Sequence, residues 1–389
     1  MALVVSQQPQ LYTPAFNDQF ITALSNQIAV ADFKYIVTVE VNGSGIIKTD
    51  NILQRPDGYL VYDPQEWVKN YITRNYFDPN ISSSIYINQA IGKGATVQVK
   101  VKEYYSGTVQ STTTINYNVW DACLTKRDFE LYNYTNYIVN GSNIIPFDSN
   151  AIIDNRISLL NGNRFIHFFK LTGRKIKCEL FNASNVSQGT FTLNFNIGLI
   201  IYADLGYNTC VSNGLTPLDG YYLVYKIQDI SNVTLFQDSF TFKDICTYHN
   251  PYVLYYLTRT GKIESFNFEL LSQESVSKKN TTVRLSPNKM RSGGIYGSYQ
   301  YDRELFTTST QETKVITLNT NWITESQSIA LQDLWDSPII FIKDLTLNQI
   351  YSVSIKATSY TKSKHINQPL FNYSVECEYS IQENRQRGI

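Results

Sequence analysis

Phe371-Asn-Tyr-Ser-Val-Glu-Cys-Glu-Tyr-Ser380, close to the end of the chain, decides the fold class. Phe371, Tyr373, Val375, Cys377 and Tyr379 alternate with Asn372, Ser374, Glu376, Glu378 and Ser380. A period of two places one row on a core and the other in water. Upstream, Tyr351, Val353, Ile355 and Ala357 alternate in the same way with Ser352, Ser354, Lys356 and Thr358. The polar segment 361–369 between the two runs serves as a hairpin loop. Residues 314–380 as a whole read strand, helix, strand, strand, strand. The helix starts at a capping box, Thr324-Glu-Ser-Gln327, and places Ala330, Leu331, Leu334 and Trp335 on one apolar face. Pro338 ends it and the chain restarts as a strand at 339–343.

Composition supports a β-rich chain. The 389 residues are 43% hydrophobic but only 17% charged, with 29 Tyr. Asn, Ser, Thr and Gln replace the missing charge, which describes a folded chain with a neutral polar surface. Tyr, Thr, Ile and Val favour strands. Basic and acidic residues number 33 each, with no basic tract and no acidic tail. The electrostatic case for nucleic-acid binding is therefore weak. Net neutrality also leaves little protection against self-association, which suits a subunit of an assembly.

The first residues lack a positively charged leader and a long apolar run, so no signal peptide is expected. No stretch reaches the length of a membrane span. The five cysteines (Cys123, Cys178, Cys210, Cys246 and Cys377) are scattered and read as buried free thiols.

Taken in order, residues 1–20 with Pro9 and Pro14 read as an extended arm. Phe33, Tyr35, Val37, Val39 and Val41 give a strand, Asn42-Gly-Ser-Gly45 a turn, and 46–53 a second strand. Asp63-Pro-Gln-Glu66 opens a helix that carries Trp67, Val68, Tyr71 and Ile72 on one face to about Asn75. Val97, Val99 and Val101 form a further strand and 112–119 another. The middle of the chain alternates strands and turns, at 164–171, 175–181, 191–202, 221–227 and 234–242, without a helix of any length. After Pro251, residues 252–258 and 263–268 form a hairpin about Thr260-Gly261. Residues 272–300, polar and partly basic, read as a loop excursion. The expected architecture is all-β and mainly antiparallel. Tandem β-sandwich domains with a few short helices are expected at 1–122, 123–250 and 251–389.

Chemistry is sparse. The chain holds no phosphate loop, no Gly-x-Gly-x-x-Gly, no His-Glu-x-x-His and no Gly-x-Ser-x-Gly. Of the three histidines, His167 falls in an apolar strand and His365 in a polar loop. Cys246-Thr-Tyr-His249 with Cys210 offers too few ligands and no paired spacing for zinc. Glu376 and Glu378 share a strand face about 7 Å apart, the pattern of solubilising charge more than of a glycosidase pair. Lys278, Lys279, Arg284, Lys289 and Arg291 cluster in the excursion and read as a solvated loop. No catalytic, cofactor-binding or metal-binding residue is assigned.

Several of these stretches resemble a family of virion proteins of tailed phages of Bacteroidetes hosts, the crass-like phage ring proteins in particular. The similar segments are Gln7-Gln-Pro-Gln-Leu-Tyr-Thr-Pro14 with Phe33-Lys-Tyr-Ile-Val-Thr-Val39, and Pro56-Asp-Gly-Tyr59 with Val61-Tyr-Asp63. Others are Val101-Lys-Glu-Tyr104, and Leu254-Tyr-Tyr-Leu-Thr-Arg-Thr-Gly261 with Glu264-Ser-Phe-Asn-Phe268. Asn321-Trp-Ile-Thr-Glu-Ser, Leu334-Trp-Asp-Ser-Pro338, and Thr358-Ser-Tyr-Thr-Lys362 with Asn372-Tyr-Ser complete the set. The likeness covers both ends of the chain and skips most of the middle. The family's pair of glycines in the hairpin turn is reduced here to Gly261. The resemblance implies a non-enzymatic structural protein of the virion that forms a homo-oligomeric ring or hub in the tail or neck. It would stack on neighbouring tail, neck or portal proteins, after synthesis in the host cytoplasm. It implies no membrane partner, no cofactor, and no nucleic acid except DNA passing through the assembly. In a ring, the arm 1–20 and the excursion 272–300 are the expected inter-subunit contacts. The competing expectation is a receptor- or carbohydrate-binding tail fibre or adhesin module, for which exposed Tyr and Trp are suited. A polysaccharide-cleaving enzyme would need a carboxylate cleft that the sequence does not offer.

Overall fold

The computed structural model describes residues 3–72, 87–89, 94–134, 138–139, 142–143, 156–160, 162–169, 175–194 and 200–244. In the last third it describes 251–284, 288–290, 293–294, 296–297, 305–356, 370–381 and 383–387. The chain is mostly β-strand in antiparallel and mixed sheets with four short α-helices among the described residues, an all-β multi-domain fold. Two compact units divide it. The first takes Met1–Ile245, Tyr255–Phe266 and Ser326–Pro338, and the second Cys246–Leu254, Asn267–Glu325 and Ile339–Ile389. The segment expected as a C-terminal domain thus contributes to both.

The first unit holds two apolar cores. One lies between a five-stranded sheet and a three-stranded sheet built from residues 3–120. Val37, Val39, Val41, Val97, Val99 and Val101 are its fully buried rows, as their alternation predicts. The turn after Lys34–Val41 places Asn42 and Gly43 at positive φ, and the next strand is Ile46–Ile52. The second core lies between the five-stranded sheet of Lys175–Phe181, Ser187–Asn194, Tyr222–Gln228, Thr234–Lys243 and Arg156–Ser158 and a three-stranded sheet. That smaller sheet joins Phe165–Phe169 and Ile200–Asp204 to Ile87–Gln89.

Several expectations change. Residues 1–20 are not a free arm. Val4–Gln7 pairs antiparallel with Ile21–Leu24, and Tyr12–Pro14 pairs parallel with Thr108–Trp120. Thr13 and Ala15 are buried, Pro14 ends a short edge strand and Pro9 lies between two strands, so the segment is not an unpacked tail. The helix after Asp63 is short. Gln65–Val68 gives way to a 3₁₀ turn at Lys69–Tyr71. Asp63 Oδ1 accepts from the N–H groups of Gln65 and Gln19. Val68 and Ile72 are buried, but Trp67 and Tyr71 face outward, and Lys48 Nζ lies 4.4 Å from the Trp67 ring centre. The run expected as one strand at 191–202 is two, Ser187–Asn194 and Ile200–Asp204, in different sheets. The middle also contains two helices of about a turn and a half, Lys126–Glu130 and Tyr207–Ser212. The first is capped by the Thr125 hydroxyl, which accepts from the Asp128 N–H.

The hairpin of Tyr252–Leu257 and Ile263–Phe268 is present, buried along its length. In the first unit its turn is fixed by the chain around residue 121. Trp120 Nε1 donates to Thr260 O at 3.0 Å, and the Cys123 N–H donates to Arg259 O at 2.8 Å. Gly261 has φ +85, and a Cβ there would lie 2.1 Å from Asp121 O, so no other residue fits without displacing backbone. The helix Glu325–Asp336 begins directly after Thr324. Leu331 and Leu334 are buried and Trp335 half-buried, with Asp333 paired to Arg259 at 2.8 Å.

The second unit is built on one large sheet. Ile340–Asp344, Gln349–Ile355, Ser374–Tyr379, Leu305–Asn319 and Gln273–Arg284 follow one another in it. Glu383–Arg387 also pairs with Leu305–Asn319. The alternating runs are neighbours as read, Val353 opposite Tyr379 and Ile355 opposite Cys377. The connecting segment 361–369 lies outside the described residues.

Candidate assembly surface

The excursion expected as a loop is a β-ribbon. Gln273–Arg284 runs antiparallel to Leu305–Asn319, from Gln273 opposite Thr317 to Arg284 opposite Leu305, with a bulge between Thr281 and Thr282. Twelve residues at strand rise extend about 40 Å. The sequence reads polar here because both faces meet water, so the apolar–polar alternation that marks a half-buried strand is missing. Threonine and valine still supply strand propensity.

Burial divides the ribbon in two. At its base Val315, Ile316 and Leu318 are buried and belong to the sheet's core. Beyond Lys314, burial falls away along the longer strand, apart from Glu312 at 5% exposed, and all of Gln273–Arg284 is exposed. Among the described residues Gln273–Arg284 is also the last strand of its sheet, with Leu305–Asn319 as its one described neighbour. An exposed edge of this length is a template for pairing with another chain. Towards the far end, Val283 opposite Phe306 forms a cross-strand apolar pair. Leu305, Met290 and Tyr296 add exposed apolar surface.

The basic residues of this region do not gather into one patch. Lys278 and Lys279 are adjacent on a strand and point to opposite faces, Lys278 opposite Glu312 and Lys279 opposite Gln311. Arg284 lies near the far end, Lys289 pairs with Gly297 in a separate short ladder, and Arg291 lies outside the described residues. Lysines on an exposed edge strand discourage indiscriminate edge pairing.

Other residues singled out in the sequence are dispersed. His167 stands on Phe165–Phe169 opposite Tyr202. His249, His365 and Cys246 lie outside the described residues. Cys210 is buried in the helix Tyr207–Ser212 near Cys178. Burial pushes the Cys210 thiol up to about 12, helped by Asp204, and pushes Cys178 well up. Cys377 is also buried and pushed up to about 12, whereas Cys123 is exposed, a correction to its expected burial. Glu376 and Glu378 stand on one face of Ser374–Tyr379, opposite Thr317 and Val315.

One polar cluster has no counterpart in the sequence reading. In the first unit Arg164 Nη1 meets Glu264 Oε1 at 2.7 Å and Lys262 Nζ meets Glu264 Oε2 at 2.6 Å. Arg164 and Glu264 are 4% and 1% exposed, and the guanidinium lies 4.9 Å from the Phe240 ring centre. Burial opposes ionisation of Glu264. Arg164, Lys262 and the hydrogen bonds to its carboxylate more than offset this and hold it below the usual carboxylate range. Nearby, Asp204 accepts from Asn163 Nδ2 and from the N–H groups of Arg164 and Gly206. Every carboxylate oxygen in this network is engaged by protein, so it ties elements together and offers no open position for substrate.

No family model matches the chain, and no curated protein matches it. Among solved structures the chain aligns with Salmonella alpha-2-macroglobulin reacted with methylamine. That alignment has 7% identity and a TM-score of 0.22, over 96% of this chain and 23% of that one. It also aligns with Parabacteroides merdae beta-glucuronidase, at 8% identity and a TM-score of 0.12, over 58% of this chain and 28% of that one. The chain spans about a quarter of the length of these structures. Likeness at this level carries no argument about fold or activity.

Proposed function

We propose that the protein is a non-enzymatic structural subunit of a bacteriophage virion that forms a homo-oligomeric ring or hub in the tail or neck. The observation that carries the proposal is the ribbon. Beyond Ser309, where the pairing with Glu383–Arg387 ends, the ribbon has two described strands, and a two-stranded ribbon exposed on both faces is marginal by itself in water. The ordering entropy of its residues is recovered only when a partner buries it. Its Ser, Thr and Asn rows, exposed strand edge and apolar far end suit addition to a strand or groove of the next copy. The chain's zero net charge suits close packing of identical copies, since no long-range repulsion opposes it. The buried polar network of the first unit acts as a brace and not as a catalytic centre. The resemblance in the terminal segments supplies the virion setting, and the ribbon replaces the N-terminal segment as the inter-subunit element.

The test is made on particles. Phage propagated on a Bacteroidetes host and purified on a density gradient are analysed by quantitative mass spectrometry and by gold labelling with an antibody to this chain. The chain at a fixed multi-copy ratio to the portal protein, with label at the tail or neck, is the expected result. Its absence from purified particles overturns the proposal.

A further inference from the structure

The core row of the second unit's sheet does not end in solvent. It runs out into a bowl lined by tyrosines. Val353, Ile342, Val375, Cys377 and Ile316 are buried on one face of the sheet. The register extends this face to Tyr351, which is opposite Ile342, to Tyr379, which is opposite Val353, and to Glu274, which is opposite Ile316. Lys314, opposite Val276, completes the row. With Tyr252 and Asp344 these residues enclose a cavity of about 280 Å³. Leu347 and Ile381, both exposed, stand at its rim. Alternation alone assigns Tyr351 and Tyr379 to the core, because period two gives the face of a residue and not its depth along the sheet.

The lining is chemically specific. Tyr351 and Tyr379 meet edge to face at 5.5 Å between ring centres. Tyr252 Oη donates to Glu274 Oε1 at 3.5 Å. Burial, with Asp344 and Glu274 close by, pushes the Tyr252 phenol up to about 12, so it stays protonated and can donate throughout the physiological range. Asp344 is fixed before any ligand arrives, since its Oδ1 accepts from the Thr346 and Leu347 N–H groups at 2.8 and 2.9 Å. The bowl therefore joins aromatic rings, two carboxylates that accept, and phenol and ammonium groups that donate.

We propose that this bowl binds the end of a neutral saccharide chain, one sugar ring deep. A pyranose presents an apolar C–H face, which an aromatic ring covers, and hydroxyls that each donate and accept. Acceptors and donors of both kinds within one small bowl match that pattern. An anionic ligand would meet Glu274 and Asp344, and a cationic one Lys314. The volume falls just under the roughly 300 Å³ at which pockets for larger ligands begin, which limits the occupant to a single ring. The bowl meets the ribbon at its base, through Glu274 and Lys314, and its binding of sugar is read separately from assembly.

The test uses the full chain and free sugars: glucose, galactose, mannose, N-acetylglucosamine and glucuronic acid. Binding is read by saturation-transfer NMR and by calorimetric titration. Saturable millimolar binding of at least one neutral sugar is expected. Tyr351→Ala weakens it by about tenfold, the equivalent of one aromatic contact, while Tyr351→Phe keeps most of it. Glu274 is exposed and contributes a hydrogen-bond acceptor, so Glu274→Gln leaves the fold intact and weakens binding several-fold. Failure of every neutral sugar to bind at tens of millimolar overturns the proposal. So does binding of glucuronic acid alone, or binding that neither Tyr351→Ala nor Glu274→Gln changes.

Discussion

Replacing Glu264 by Gln tests the brace at the centre of the first unit. The side chain is 1% exposed and meets Arg164 and Lys262 at 2.7 and 2.6 Å. Glutamine preserves shape and removes the negative charge that faces the 4%-exposed Arg164 guanidinium. Breaking one side of a buried pair costs about 3–5 kcal/mol. For a unit of this size each kcal/mol shifts the midpoint by about 2–4 °C, so Glu264→Gln lowers it by roughly 6–20 °C. The double variant Arg164→Met with Glu264→Leu removes both charges of this pair and recovers part of the loss, since Lys262 is left facing an apolar side chain. The pH dependence has a definite sign. The Glu264 carboxyl is held below its unfolded value, so its stabilisation is complete above about pH 4.5 and is lost as pH falls through the folded value. Wild type and Glu264→Gln therefore differ most near neutrality and converge in acid. Melting curves at a series of pH values, with tryptophan fluorescence as the probe, read both effects. A shift under about 2 °C at pH 7, or a constant difference across the pH range, would falsify the brace.

Three further outcomes follow from the geometry. Gly261→Ala combines positive φ with a Cβ 2.1 Å from Asp121 O, so it destabilises the first unit by about 2 kcal/mol or more. An unchanged denaturant midpoint would contradict that. Removing residues 1–20 takes away strand pairing with Ile21–Leu24 and Thr108–Trp120 and the acceptor Gln19 Oε1 of the buried Tyr117 hydroxyl. The truncated chain is expected to lose cooperative melting of the first unit. Normal melting with altered assembly alone would restore the free-arm expectation. Among the described cysteines, maleimide labels Cys123 in the native protein. It reaches Cys178, Cys210 and Cys377 only on unfolding, as peptide mass mapping would show.

Where one face of a strand is buried, the chain announces its fold in its sequence. Val97, Val99 and Val101, or Val375 and Cys377, identify their strands and their inward face because burial selects every second residue. The same logic fails wherever burial is absent or complete. Gln273–Arg284 has no buried residue, so no period marks it, and Lys278 and Lys279 read as loop charge when they lie on opposite faces of a strand. Residues 1–20 mislead for a different reason. Strands of three or four residues are too short to show a period, and Pro14 within one of them argues against a strand interior that its edge position allows. The resting place of Glu264 was hidden because its partner Arg164 is 100 residues away, and spacing carries no information across that distance. The tyrosine bowl was hidden in plain sight, its members assigned to a core row whose end they form.

The central claim is that the ribbon joins copies of this chain. It is tested most directly by the solution mass of the purified protein, from light scattering on a size-exclusion column, beside a variant with a shortened ribbon. Asn280 and Thr310 face each other across the ladder, so residues 281–309 can be replaced by an Asn-Gly turn without disturbing the base. The account predicts a closed multi-copy mass for the wild type. It predicts a monomer for the shortened chain, with an unchanged melting curve for the first unit. A monomeric wild type, or an equal multi-copy mass for both chains, would contradict it.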